Sequence, residues 1–233
     1  MTPALTALPS RLVAGYESFL QGRLPLERER YRQLAEKGQN PKIMLIGCCD
    51  SRVAPEAIFD ATAGELFVLR NVAALVPPYR PNDDYHGTSA ALEFAVMGLR
   101  VEHIVVLGHA RCGGVRAYAE NESAPHSAPL SPGDFIGSWI KLIAPAAARL
   151  GGVPAQPDSA FVERLTFESI RQAIANLRTF PCVEPLERKG RLSLHGAFFG
   201  VGDGRLLALD PATGAFAPVA EEAYNAAFAA PRF

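Results

Sequence analysis

Two short stretches concentrate the side chains able to do chemistry: GCCDSRV at 47–53 and GHARCGG at 108–114. If the chain stays extended through the first stretch, alternate side chains share a side. Cys48, Asp50 and Arg52 then face one way, while Cys49 and Ser51 face the other, towards the interior. A disulfide between adjacent cysteines closes a small strained ring. No Cys-x-x-Cys occurs either, so thiol redox chemistry is disfavoured. In the second stretch His109 and Cys112 are three apart, a spacing that shares one face if the chain turns into a helix there. Its glycines let backbone approach a neighbouring group closely. Cys48, His109 and Cys112 together offer two thiolates and one imidazole with a fourth position free, a donor set that suits catalytic zinc. Asp50 has two open roles. It could be the fourth ligand that closes the site, or it could accept a hydrogen bond from zinc-bound hydroxide while Arg52 holds it off the metal. Taken singly, His109 or Cys112 reads as a packed core residue. The case for metal comes from the two motifs together.

Those motifs meet only if the elements carrying them lie side by side. KIMLIG (42–47), ELFVLRN (65–71) and HIVVLGH (103–109) are short apolar runs without alternation, as expected of parallel strands buried on both faces. TSAALEFAVMGL (88–99) reads as one helix between two of them, with Thr88 or Ser89 near its cap. Strands alternating with helices predict a parallel sheet with right-handed crossovers, and ligand sites beyond the carboxyl ends of its strands. Both motifs fall at such ends. RLVAGYESFLQGRL and the segment up to Gly38 read as two amphipathic helices, and RLSLHGAFFGV with RLLALD as a late hairpin. DFIGSWIKLIAPAAARL reads as helix kinked or broken at Pro145, and 158–180 as a long helix. The glycines of GVGDG open no helix and read as a turn rather than a phosphate loop. The expected fold class is α/β: a central, mostly parallel sheet flanked by helices, with an N-terminal helical arm and a late hairpin at the edge. One domain is expected over 1–233, with the arm at 1–38 and the core with its C-terminal helices at 39–233.

A chain of 233 residues that is 48% hydrophobic can bury a full core. A net charge of -1 argues against nucleic acid or an acidic membrane as partner. No apolar run reaches the ~18 residues of a membrane span, and no basic-then-apolar leader opens the chain. Four cysteines are too few for a disulfide scaffold, so a reduced, cytoplasmic protein is expected. His86, His103, His126 and His195 read as structural or exposed, Cys182 as filler, and Trp139 as a packing residue.

At the two motifs the chain resembles the β-class carbonic anhydrases, whose pattern is Cys-x-Asp-x-Arg followed by His-x-x-Cys-Gly-Gly. The resemblance runs from Pro41 to Val115 through PKIMLIGCCDSRVAPEAIFD, GELFVLRNVAALVPPY and EHIVVLGHARCGGV. It implies reversible hydration of carbon dioxide to bicarbonate and a proton by zinc-bound hydroxide. One Zn2+ per chain would be held by Cys48, His109 and Cys112, with Asp50 and Arg52 as an orienting dyad. Several positions resemble the plant-type branch. Gln39 would hydrogen-bond substrate, Phe67 and Val72 would form an apolar wall, and Phe94 stands where that branch has a tyrosine. A backbone N–H near Gly113 could orient a substrate oxygen. Leu45 replaces the tryptophan of the bicarbonate-regulated branch. The resemblance also implies a homodimer or a larger dimer-based oligomer, with the site at the interface and the N-terminal helices clasping the partner. Hydrolysis of carbonyl sulfide or carbon disulfide on the same zinc is an alternative, as is a non-enzymatic zinc-stabilised bicarbonate sensor.

Overall fold

The computed structural model describes residues 8–82, 84–124 and 128–229. The chain divides into two compact units, Met1–Asn40 and Pro41–Phe233. In the first, α1 (Ser10–Gln21) and α2 (Arg23–Lys37) form a helical pair. Phe19 contacts Tyr16 and meets Tyr31 edge-on. Arg32 bridges Glu29 and Glu36 along α2. The helix stops at Gly38, whose φ of 78° is a left-handed value that favours glycine. Neither helix fully buries any residue.

The second unit is built on a six-stranded sheet, order β2-β1-β3-β4-β5-β6. Its strands are β1 (Ile43–Cys48), β2 (Leu66–Asn71), β3 (His103–His109), β4 (Ser193–Phe199), β5 (Leu206–Leu209) and β6 (Phe216–Pro218). The first four in spatial order run parallel, and β5 and β6 run antiparallel. The three apolar runs thus become the adjacent strands β2, β1 and β3. The late hairpin is β4–β5, closed through Gly200 and Arg205. β6 is an edge strand of three residues ending in Pro218, too short to carry a period and tolerant of proline only at an edge.

The helices of this unit are α3 (Pro55–Ile58), α4 (Gly87–Glu93), α5 (Gly113–Ser123), α6 (Phe135–Ile140), α7 (Ala144–Arg149), α8 (Ser159–Leu177), α9 (Glu184–Arg188) and α10 (Glu221–Ala229). Side chains on one face of β1 and β3 (Met44, Ile46, Ile104 and Val106) pack against Leu92 and Val96 and against Ile170, Ile174 and Leu177 of α8. Gly108 and Gly196 set how closely α8 approaches. A Cβ on Gly108 would stand 2.7 Å from the Ile170 Cδ1. The other face carries a smaller cluster of Leu45, Leu107 and Ala197. A further cluster gathers residues that follow the strand ends, including Cys48, Leu75, Cys112 and Val115, with Phe161, Val162 and Leu165 from the start of α8. One long helix thus braces both the sheet and the region beyond it.

Two helices depart from their expected form. The single helix expected over 88–99 is α4 followed by a π-helical segment, Phe94–Leu99, which ends at the left-handed Arg100. The run expected to kink at Pro145 breaks earlier, in a 3-10 turn at Lys141–Ile143. Pro145 instead lies in the first turn of α7, where its missing N–H has no helical acceptor to lose.

Candidate metal centre

Cys48 is the last residue of β1 and His109 the last of β3. Cys112 caps the start of α5. All three are buried, and their ligand atoms lie within 4.8 Å of one another. The two sulfurs stand 3.9 Å apart. Zinc–sulfur bonds of about 2.3 Å in a tetrahedron require about 3.8 Å. The His109 ring is locked by its Nδ1–H, which donates to the Ala110 carbonyl at 2.9 Å. That bond leaves the lone pair on Nε2, which is buried and has no hydrogen-bond partner. A buried polar atom without a partner is costly, and a metal ion between it and the sulfurs would satisfy it. This orientation by a carbonyl is the usual support of a ligating histidine.

The thiols respond to each other. The Cys112 hydrogen bond holds the Cys48 pKa well below the usual thiol range against the effect of burial, with help from His109 and the Asp50 and Ala73 amides. Cys112 moves the other way, raised first by Cys48 and then by burial. One thiolate forms readily and resists a second beside it. A dication between them reverses that repulsion, so the donor set fits Zn2+ on charge as well as distance.

Past Cys48 the chain leaves the sheet and turns at Ser51–Arg52. Arg52 forks onto Asp50: Nε donates to Oδ1 at 2.9 Å and Nη2 to Oδ2 at 2.7 Å. The Arg52 amide also donates to Oδ1. These bonds push the Asp50 carboxyl well below the usual range, against partial burial. Its Oδ2 still lies only 3.9 Å from His109 Nε2, beside the ligand cluster. Arg52 Nη2 also reaches the Arg111 carbonyl, so one guanidinium ties the two motif loops together.

The fold and this arrangement agree with what the chain resembles. A family model described as carbonic anhydrase matches residues 43–206. A carbonic anhydrase of Pseudomonas aeruginosa is 35% identical over 210 residues, covering 90% of this chain and 91% of that protein. The chain belongs to the β-class carbonic anhydrases. Among solved structures, the β-carbonic anhydrase CcaA superposes with a TM-score of 0.79 at 32% identity, covering 90% of this chain and 91% of its own. A tetrameric β-carbonic anhydrase of Sordaria macrospora gives 0.71 at 27%, covering 89% and 98%. β-Carbonic anhydrases use zinc, and Cys48, His109 and Cys112 are the group positioned to hold it.

The other expected carbonic anhydrase residues divide. Val72 begins the turn that follows β2, and Gly113 opens α5. That turn and α5 touch, because a Cβ on Gly114 would meet Val72 Cγ1 at 2.7 Å. Phe67 does not join them. It pairs in register with Met44 while Asn71 pairs with Cys48, which puts it about 13 Å down the sheet at ~3.3 Å per residue. Its ring packs on Phe94, 5.9 Å away and exposed. Gln39 belongs to the N-terminal unit. Cys49 is exposed rather than turned inward, just past the end of β1 at Cys48. His103 and His195 hydrogen-bond each other at 3.2 Å, at the opposite end of β3 from His109. His86 pairs with Asn82, and His126 lies outside the described residues.

Three supporting residues went unread in the sequence. Asn71 accepts from the Leu75 N–H and donates to the Leu75 carbonyl, closing a turn that holds Ala73 and Ala74 at positive φ. Trp139, expected only to pack, donates its indole N–H to the Val72 carbonyl at 2.9 Å. Arg70 donates to the carbonyls of Cys48 and Asp50. An arginine one residue before the end of an otherwise apolar strand was the available signal, since charged side chains are seldom drawn inside without partners.

Proposed function

We propose that the chain catalyses CO2 + H2O ⇌ HCO3− + H+ with one zinc held by Cys48, His109 and Cys112, and with Asp50 and Arg52 as the orienting dyad. The observation that carries this is the buried, unpartnered His109 Nε2 facing two thiols beside a carboxylate held by an arginine fork. When bound, zinc supplies a water whose pKa is brought towards neutrality. Asp50, kept ionised by the Arg52 fork, would be the hydrogen-bond acceptor beside that position and would orient the water for attack on carbon dioxide. Arg52 keeps the carboxylate off the metal position. Val72 offers an apolar wall to the linear substrate. The N–H of Gly113, at the start of α5 where amides lack helical acceptors, donates to an oxygen as charge develops.

Phe67, Phe94 and Gln39 are proposed as pocket residues of the plant-type kind. Since Phe67 and Phe94 are remote from Cys48 along the sheet, they serve a second copy's centre. Support for a dimer-based homo-oligomer comes from the exposed Phe94, from the exposed Leu12, Tyr16 and Leu26 of the N-terminal helices, and from the tetrameric relative of Sordaria macrospora. Four free cysteines suit a reducing, cytoplasmic setting. Among the described residues no helix is long and apolar enough to cross a membrane. Stopped-flow hydration of carbon dioxide by zinc-loaded protein at alkaline pH, with carbonyl sulfide and carbon disulfide run beside it, tests the proposal. Acceleration of the first reaction supports it. No acceleration at one zinc per chain sinks it, and selective turnover of a sulfur substrate replaces it.

A further inference from the structure

We infer that Arg70 is a positioning residue that sets both the metal ligand Cys48 and the dyad member Asp50 through their backbone. It rests on the zinc reading above and deepens it. Arg70 Nε donates to the Cys48 carbonyl at 2.8 Å and Nη2 to the Asp50 carbonyl at 2.7 Å. Between those contacts, the Cys49 amide donates to the Asn71 carbonyl at 2.9 Å. Three consecutive residues of the metal loop are thus each tied to the last two residues of β2. The loop needs such ties, because β1 stops at Cys48 and no sheet ladder continues past it.

The geometry suits a guanidinium and little else. Two carbonyls separated by one residue lie at the spacing of its planar fork, and both bonds are charge-assisted. Fixing the two carbonyls fixes the Cys48–Cys49 and Asp50–Ser51 peptide planes, the ones that leave the Cα atoms of Cys48 and Asp50. Those planes decide where the Cys48 thiol and the Asp50 carboxylate point. Arg52 acts on the Asp50 side chain, whereas Arg70 acts on the backbone beneath it. The side chain is partly buried, so its loss leaves two carbonyls short of a donor in a place water reaches poorly.

The test compares Arg70→Met, which keeps bulk and removes every donor, with Arg70→Lys, which can reach one carbonyl. Arg171→Met is the control: Arg171 also donates to a backbone carbonyl, that of Gly214 on the β5–β6 turn. Zinc release to a chromophoric chelator is followed below the melting temperature, together with the thiolate-to-metal absorption of the cobalt(II)-loaded proteins. Supporting residues of this kind alter metal binding by about 10- to 100-fold. Release from Arg70→Met is expected about tenfold faster than from the unaltered protein, with a shifted cobalt spectrum. Arg70→Lys is expected in between and the control unchanged. A wild-type release rate and spectrum in Arg70→Met, or equal acceleration in the control, overturns the inference. If Arg70→Met does not fold, a wild-type rate in Arg70→Lys does so. An unaltered protein that holds no zinc overturns the zinc reading and this inference together. One that holds zinc indifferently to Arg70 overturns this inference alone.

Discussion

Replacing Cys48 or Cys49 with serine should separate neighbouring cysteines that composition cannot distinguish. Cys48 Sγ lies 3.9 Å from Cys112 Sγ and is buried. Cys49 is exposed, and its bond to the Asn71 carbonyl is made by its amide. Four-ligand structural zinc is held by about 10–16 kcal/mol, roughly 2.5–4 kcal/mol per ligand. A serine hydroxyl does not ionise near neutrality and binds far more weakly than a thiolate. Cys48→Ser should therefore weaken zinc by about 3 kcal/mol, or ~150-fold at 1.4 kcal/mol per tenfold. Cys49→Ser keeps the amide bond and touches no ligand, so its affinity should stay within about twofold, as for an ordinary surface change. Competition with a chromophoric chelator reads both constants, and circular dichroism reports that both chains are folded. Equal zinc loss in the two variants, or greater loss from Cys49→Ser, would refute the placement of Cys48 at the metal.

Gly114→Ala puts a Cβ 2.7 Å from Val72 Cγ1 and 3.0 Å from the Ala73 Cβ, whereas a Cβ on Gly113 meets nothing within 4 Å. Overpacking of this kind costs about 1–3 kcal/mol, so Gly114→Ala should melt several degrees lower in calorimetry and Gly113→Ala should not. Trp139→Phe removes the donor to the Val72 carbonyl and should cost about 1 kcal/mol in urea unfolding; an unchanged midpoint would show that the bond contributes nothing. His195 has its pKa lowered, first by burial and then by the charge of His103. The unfolded chain therefore takes up a proton near pH 6.5 while the folded chain resists it, so stability falls as pH drops below about 6.5. His195→Gln should flatten that limb of the curve, and an unaltered slope in urea titrations from pH 7 to 5 would assign it to other groups.

The strands were readable because burial on both faces leaves an unbroken apolar run. KIMLIG, ELFVLRN and HIVVLGH each became a strand within a residue of its expected bounds. The convergence of Cys48, His109 and Cys112 was readable for the same reason, since adjacent parallel strands bring their ends together. The π-helical segment at Phe94–Leu99 was not readable, because its apolar spacing is that of an α-helix and its different hydrogen bonding follows from packing. The Lys141–Ile143 turn was hidden by Pro145, which looked like the cause of a break but starts a helix. Alternation separated Cys49 from the ligand cluster and put Asp50 beside it, but the inward turn expected of Cys49 was wrong, since a period of two tells which side a residue takes and not what covers that side.

What a linear pattern conceals most is how far apart two of its residues stand along a sheet. Phe67 and Asn71 lie on one strand, and only register shows that Asn71 is opposite Cys48 while Phe67 is opposite Met44. The same register puts Arg70 beside Gly47, within reach of the carbonyls on either side of Cys49. Phe67, four positions from the metal level, packs instead on the exposed Phe94 and against the hydrophobic core. One strand can thus brace its own metal loop with Arg70 and Asn71 while Phe67, nearer its start, packs against the hydrophobic core, and only register tells the two tasks apart.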